Sequence, residues 1–230
     1  MREWLVNTKT FWTTEANHRR VEELGDGPVR SYPYTFITPI TALSVEGEPI
    51  VLHQQAGRVT VGCNLAAVLA RTGRCREKED ALSYIENYRI VAALKDWFWL
   101  DNKPAKTERD IWAWGANYSR WTDGFNCVSQ AAVDPSEFPV PYDAEMWIAV
   151  DGVGEVTTQA ADYLHSVADV LVYLSQTTTF REGDIVALGR AGRALTIPAG
   201  RRLREGTMLR AEIEGIGRLE TPLVDERELE

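Results

Sequence analysis

Short runs of β-branched, aromatic and aliphatic residues, each closed by glycine or proline, dominate this sequence. Residues 31–53 read SYPYTFITPITALSVEGEPIVLH, in which Pro33, Pro39, Gly47 and Pro49 separate apolar stretches of strand length. Because proline and glycine interrupt regular structure, such runs are typical of short strands joined by turns. The sequence therefore predicts a mixed α+β fold that is mostly β and has few helices.

Four other segments carry clear patterns. Residues 57–71 (GRVTVGCNLAAVLAR) are apolar nearly throughout, which predicts a buried strand. Residues 144–156 (AEMWIAVDGVGEV) alternate as a β-hairpin does. Residues 162–176 (DYLHSVADVLVYLSQ) have the spacing of an amphipathic helix, and residues 13–25 (TTEANHRRVEELG) resemble a shorter helix that ends at glycine.

Length and composition restrict the class of protein. The 230 residues, 44% apolar and 26% charged, suit one globular domain. We expect residues 1–35 to form an N-terminal cap or lid segment and residues 36–230 the main body. A formal charge of −9 argues against a nucleic-acid partner.

The cysteines and the apolar runs indicate where the protein resides. The three cysteines are odd in number and show no CxxC spacing, which suits a reducing compartment and gives no zinc signature. No apolar run is long enough for a signal peptide or a membrane span. We expect a soluble cytoplasmic protein with a small-molecule substrate and no membrane partner.

Residues 95–120 hold four of the eight tryptophans, Trp97, Trp99, Trp112 and Trp114. So many large aromatic side chains in a partly charged stretch predict a lid, a pocket wall or an oligomer contact, unless the rings simply fill the core. A pocket wall would make Trp97, Trp99 and Trp114 substrate-binding residues.

Several segments together resemble the fumarylacetoacetate hydrolase family, from about Phe36 to Arg227. They are FITPITALSVEGEPIVL, GRVTVGCNLAAVLAR with KEDALSYIENYRIV, FREGDIVALG and LREGTMLRAEIEGIGRLETPLVDER. The spacing and the ending PLVDER are most similar to the isomerase/decarboxylase branch of homoprotocatechuate degradation. The resemblance implies a β-sandwich roll with a few flanking helices, and a homodimer or a heterodimer with a related subunit.

The resemblance also implies where a metal ion would bind. The family holds Mg²⁺ or Ca²⁺ through a Glu-x-Glu pair on one strand and an acidic residue on the next. Those positions fall on Gly62, Asn64 and Ala93 here. Hard cations prefer anionic oxygen ligands, so we expect a degenerate metal site and no metal cofactor, unless Asp96 or Asp123 rebuilds it.

Two arginines stand at family positions that contact the substrate. The family's active-site lysine corresponds to Arg120, and a loop threonine corresponds to Arg190. Guanidinium groups bind carboxylates through a two-point fork. We therefore expect Arg120 and Arg190 to hold an oxo acid or its enolate, unless both simply face solvent.

Three functions remain open at this point. The first is a metal-independent isomerase, lyase, decarboxylase or cyclase for an enolisable oxo acid, in which Asn64 and Asp96 contact the substrate and Asp162, Asp123 or Asp96 moves the proton. The second is a non-catalytic subunit that pairs with an active relative. The third is a metal-dependent hydrolase or decarboxylase with a rebuilt metal site.

Overall fold

The computed structural model describes residues 7–102, 107, 115, 117–138 and 142–229, apart from the side chain of Trp99. The described residues form thirteen strands, two short α-helices and several 3-10 turns. The prediction of a mixed, mostly β fold is therefore confirmed. No helix in these ranges is long and apolar enough to cross a bilayer.

Two sheets make up the molecule. The larger sheet has the strand order β2-β1-β10-β5-β6-β7-β3, with β11 also paired to β5. Its strands are β1 (Phe11–Glu15), β2 (Tyr34–Thr38), β3 (Leu43–Val45), β5 (Val59–Leu69), β6 (Ile85–Asp96), β7 (Asn126–Val133), β10 (Ile185–Arg190) and β11 (Leu195–Ile197). The smaller sheet has the order β4-β13-β12-β8-β9. Its strands are β4 (Ile50–Leu52), β8 (Glu145–Val150), β9 (Gly154–Gln159), β12 (Met208–Ile213) and β13 (Gly217–Asp225).

The two faces of the larger sheet have different roles. Side chains alternate between the faces of a strand, so Val61, Cys63 and Leu65 of β5 enter the main core between the sheets. On β6, Ile90, Ala92 and Leu94 enter the same core. The intervening residues of both strands face the other way, and that second face carries the candidate site.

The helices are short. Helix α1 spans Phe98–Asn102, and α2 spans Val167–Leu174 within the segment where the sequence predicts an amphipathic helix. A capping box starts α2, since the Ser166 hydroxyl accepts from the Asp169 amide and the Asp169 carboxylate accepts from the Ser166 amide. The predicted hairpin is confirmed as β8 and β9.

The predicted helix over residues 13–25 is wrong. Residues 11–15 form strand β1, which pairs in parallel with β10 and antiparallel with β2, and turns follow it. The helical spacing is local, whereas β1 is stabilised by backbone hydrogen bonds to strands about 20 and 170 residues away. Part of the segment assigned to a cap thus lies inside the larger sheet.

Candidate active site

An inner cavity opens on the second face of the larger sheet. Its lining includes the three family positions Gly62, Asn64 and Ala93, together with Arg120 and Arg190. Gly62 pairs directly with Ala93 across β5 and β6, and Asn64 pairs with Val91. Neighbouring strands in this register place the three family metal-ligand positions next to one another.

Gly62 leaves the space that the Arg190 side chain occupies. A Cβ atom at position 62 would lie 3.2 Å from the Arg190 Cβ and 3.6 Å from its Cδ. The first of these distances is tighter than most side-chain packing, so a larger side chain at position 62 requires the Arg190 side chain to shift by a few tenths of an ångström. Gly62 and the present place of Arg190 are therefore sterically compatible, whereas a larger residue would crowd Arg190.

Gly189 allows Arg190 to reach the cavity. It adopts a φ of +75°, and a Cβ there would lie 2.2 Å from the carbonyl oxygen of Thr14. Only glycine fits such a close approach of backbone. The pairing of β10 with β5 shifts between Ala187 and Arg190, and this irregularity turns Arg190 towards the opening.

Three charged side chains meet at the floor of the cavity. The Glu15 carboxylate contacts the Lys95 ammonium and lies 2.5 Å from Arg120 Nη2. Arg120 Nη1 donates to the Thr13 hydroxyl at 2.5 Å. The Lys95, Arg120 and Glu15 side chains are 16%, 3% and 22% exposed, so this cluster lies largely out of water.

Burial and neighbouring charges shift both titrating groups. Burial disfavours ionised Glu15, but attraction to Arg120 and Lys95 outweighs it and lowers the pKa of Glu15 from 4.5 to about 2. Burial lowers the pKa of Lys95 from 10.5 to about 8; Arg120 adds to this effect and Glu15 opposes it. Lys95 therefore exchanges its proton within reach of neutral pH.

Arg120 has unused hydrogen-bonding capacity. Within the described ranges, its buried Nε and Nη2 atoms make no hydrogen bond, although Nη2 is close to the Glu15 carboxylate. The two observations agree if the Glu15 carboxylate neutralises the charge of Arg120 but does not lie along the direction of an N–H bond. An ion pair depends on distance alone, whereas a hydrogen bond also requires a favourable N–H···O angle. A buried donor without an acceptor is costly, and an anionic ligand in the cavity supplies one.

Arg190 is anchored from the other side. Its guanidinium contacts the Asp26 carboxylate and donates to the Gly192 carbonyl. The second oxygen of Asp26 lies 2.9 Å from Nε2 of His18, which is fully buried. Asp26 therefore fixes Arg190 in place.

The inner cavity continues into a larger outer one, because Glu15, Thr60, Lys95 and Arg190 line both. The inner cavity is about 30 Å³, room for about two water molecules. The outer cavity is about 590 Å³, in the range of small-molecule sites. The dimensions suit a ligand whose polar head enters the inner cavity and whose remainder fills the outer one.

The tryptophan-rich segment contributes to the outer wall. Trp97 lines the outer cavity, and its Nε1 donates to the Thr60 hydroxyl at 2.8 Å. The side chain of Trp99 and the residues Trp112 and Trp114 lie outside what the structure describes. Of these four tryptophans, the structure therefore places only the Trp97 side chain, at the outer cavity, and the choice between a lid, a wall and an interface stays a prediction.

The acidic residues predicted to move a proton do not meet at the cavity. Asp162, in a 3-10 turn, and the exposed Asp123 line neither cavity. Asp96 Oδ1 accepts from the backbone amides of Gly57 and Phe98, both at 2.9 Å, and so caps a turn. The sequence reasoning missed Glu15 and Lys95, which are the titratable groups at the cavity floor.

The donor set does not fit a divalent cation. Across the described ranges, no group of three or more His, Cys, Asp or Glu side chains is placed to hold a metal ion. The inner cavity has one carboxylate, Glu15, against three cations, Lys95, Arg120 and Arg190. Asp26 pairs with Arg190, so these side chains together carry an excess of one positive charge in a protein of net charge −9, which disfavours Mg²⁺ or Ca²⁺ and favours anions.

Comparisons with known proteins agree with this architecture. The sequence model of the fumarylacetoacetate (FAA) hydrolase C-terminal family matches residues 10–224. The chain is 27% identical over 211 residues to an uncharacterised protein of Pyrococcus horikoshii, covering 92% of this chain and 85% of that protein. It is 24% identical over 197 residues to the mitochondrial oxaloacetate tautomerase of Bos taurus, covering 81% and 80%.

A solved structure shares the fold. The crystal structure of 5-carboxymethyl-2-hydroxymuconate delta-isomerase from Mycobacterium smegmatis superposes with a TM-score of 0.73 at 22% identity, covering 95% of this chain and 80% of that chain. The agreement extends over nearly all of the chain, including both sheets.

Proposed function

Since this chain belongs to the fumarylacetoacetate hydrolase family, we propose that it is an enzyme that acts on an enolisable oxo acid or a related carbonyl compound without a divalent metal ion. Arginine side chains take the place of the metal in holding the anion. The reaction is an isomerisation, a decarboxylation or other lyase step, or a cyclisation, each of which passes through an enolate-type intermediate.

The buried guanidinium of Arg120 carries this proposal. It is 3% exposed, it lines the inner cavity, and two of its nitrogen atoms make no hydrogen bond to any described residue. A carboxylate or enolate oxygen satisfies those donors and gains a charge-assisted hydrogen bond in a site of low dielectric. Arg190, fixed by Asp26 at the opening, supplies the second cation.

The roles of the side chains follow from their places. Arg120 and Arg190 stabilise the negative charge that develops on the oxo acid as it enolises. Lys95, whose pKa is lowered to about 8 mainly by burial, is the group able to exchange a proton near neutral pH. Trp97 forms part of the outer wall that contacts the remainder of the substrate.

The cation cluster favours an enzyme over a non-catalytic subunit. Burying several like charges destabilises a fold, and a subunit that serves only as a partner gains nothing from Lys95, Arg120 and Arg190 at one cavity. A rebuilt metal site is disfavoured because the carboxylate of Asp96 binds backbone amides and Asp123 is exposed.

Binding of oxalate, a planar mimic of an enolised oxo acid, tests the proposal. Calorimetry of metal-free protein should show binding in the presence of a chelator, and Arg120→Met should weaken it by about 2–4 kcal/mol, roughly 30- to 700-fold. Arg202→Met is the matched control, because Arg202 is exposed, pairs with Glu228 and lines neither cavity. Oxalate binding that needs added Mg²⁺, or that Arg120→Met leaves unchanged, would refute the proposal.

A further inference from the structure

Arg120 and Arg190 can stabilise the charge of a carboxylate or an enolate, but neither forms a bond to the keto group that would draw electrons from it. In an enolisation or a C–C cleavage, electrons must flow into the carbonyl group, and a Lewis-acidic metal ion is one way to accept them. Among the residues that the structure describes, no group of three or more His, Cys, Asp or Glu side chains is placed to hold such an ion. Another group of this chain can take that role if the proposed function holds.

Lys95 stands where such a group is needed. It lies two residues beyond Ala93 on β6, on the face of the sheet that lines the cavity. It lines both the inner and the outer cavity, and its side chain is 16% exposed. A ligand that enters from the outer cavity therefore reaches its ammonium group before it reaches Arg120.

The surroundings of Lys95 lower its pKa, mainly through burial, although the Glu15 carboxylate opposes this effect. A lysine becomes a nucleophile when it is desolvated or lies beside another cation, and Lys95 meets both conditions through its burial and the neighbouring Arg120. The resulting pKa of about 8 leaves a useful fraction of free amine at neutral pH. The Glu15 carboxylate contacts the ammonium and orients it.

From this geometry we infer that Lys95 forms an imine with the keto group of the substrate, so that a protonated imine accepts the electrons that a metal ion accepts elsewhere. The inference rests on the proposed function and names the covalent form of the reaction. Lys95 first gives up a proton to solvent in the open outer cavity, and its neutral amine nitrogen bonds to the keto carbon. The carbonyl oxygen then receives two protons, one from that nitrogen and one back from solvent, so that the C–O bond breaks with loss of water and a protonated imine remains.

The later steps restore the enzyme. Loss of a proton or of CO₂ from the adjacent carbon sends an electron pair into the C=N bond and gives an enamine. Protonation of that carbon regenerates the imine, and addition of water breaks the C–N bond to release ketone and amine. Arg120 and Arg190 hold the substrate carboxylate throughout, so no oxidant, reductant or further reactant is needed.

Borohydride trapping tests the inference on the wild-type protein. Borohydride reduces an imine to a stable secondary amine, so protein incubated with pyruvate or phenylpyruvate should gain one covalent adduct, which peptide mapping places on Lys95. The adduct should be lost completely in Lys95→Arg and in Lys95→Met. It should persist in Lys78→Arg, a matched control, because Lys78 is exposed and pairs with Asp169.

Oxalate has no keto group and separates the two proposals. Lys95→Arg keeps a cation at the cavity, so oxalate should bind to this variant although the adduct is gone. If wild-type protein binds oxalate through Arg120 but gives no adduct with either keto acid, the imine is refuted and the proposed function stands. Adducts that spread over surface lysines and persist in Lys95→Arg also refute it, and failure of both oxalate binding and trapping refutes both proposals.

Discussion

Replacing Glu15 with glutamine tests whether the charge cluster at the cavity floor is as tightly coupled as its geometry indicates. The substitution keeps the shape of the side chain and removes the one carboxylate among the described residues that line the inner cavity. It leaves the buried cations Lys95 and Arg120 without their counter-ion. We expect Glu15→Gln to fold but to be less stable than the wild type at neutral and mildly acidic pH.

The magnitude follows from the shift in the pKa of Glu15. The pKa falls from 4.5 to about 2, and each unit corresponds to about 1.36 kcal/mol, so ionised Glu15 contributes about 3 kcal/mol. Because the folded pKa is depressed, this contribution is present in full above the unfolded pKa of 4.5 and is lost as pH falls towards 2. Nearly all of this contribution should remain at pH 5 and about half of it at pH 3.

Urea denaturation followed by tryptophan fluorescence gives the free energy of unfolding at each pH. The difference between wild type and Glu15→Gln should fall by about half between pH 5 and pH 3. Glu86→Gln serves as the control, because Glu86 is exposed on β6 and should show no such change. A difference that is constant across this pH range, or smaller than the control's, would refute the coupling of Glu15 to Arg120 and Lys95.

Two further predictions concern the packing around the cavity. Gly62→Glu restores a large side chain 3.2 Å from Arg190 Cβ and should destabilise the protein by about 1–3 kcal/mol in thermal unfolding; a neutral or stabilising effect contradicts the crowding of Arg190. Tyr163→Phe removes a buried hydroxyl that donates to Gly189 at 2.7 Å and accepts from the Leu65 amide at 3.2 Å. The substitution should lower the free energy of unfolding in urea by about 1–2 kcal/mol. Tyr118→Phe, at an exposed tyrosine, is the control, and a decrease for Tyr163→Phe no larger than the control's contradicts the prediction.

Part of the lining of the candidate site could be predicted from the sequence. An apolar run from Val59 predicts a buried strand, and the resemblance gives Gly62, Asn64 and Ala93 as a set of neighbouring positions. The register of β5 and β6 brings those three residues to one cavity, because two long central strands fix the alternation of side chains between the faces.

The sequence could not reveal the charges that complete the cavity. Glu15 and Lys95 occur in polar surroundings, TTEAN and LKDW, and in sequence they resemble surface residues. Lys95 did carry a signal, because it follows Ala93 by two residues and must share its face of the strand. Glu15 carried none, since its place depends on the pairing of β1 with β10, about 170 residues away.

Asp96 shows the opposite error. It is an acid near the expected metal site, and residue type alone made it a candidate ligand or proton carrier. Asp96 follows Lys95 directly, so the alternation of side chains along the strand turns it away from the cavity. Its carboxylate instead accepts hydrogen bonds from the amides of Gly57 and Phe98. Strand parity is therefore a better guide to a cavity residue than chemical type.

The contact of Gly189 with the Thr14 carbonyl makes the spacing between two opposite charges a property of the backbone. Strands β1 and β10 end in Glu15 and Arg190, and Gly189 lets their backbones approach closely at this point. A molecule entering the cavity therefore meets two charged side chains whose separation is already set. Its binding then spends less free energy on ordering the site. The association rate should then depend on passage through the outer cavity. Substitutions at the opening of that cavity should change ligand selectivity and leave the distance between Glu15 and Arg190 unchanged.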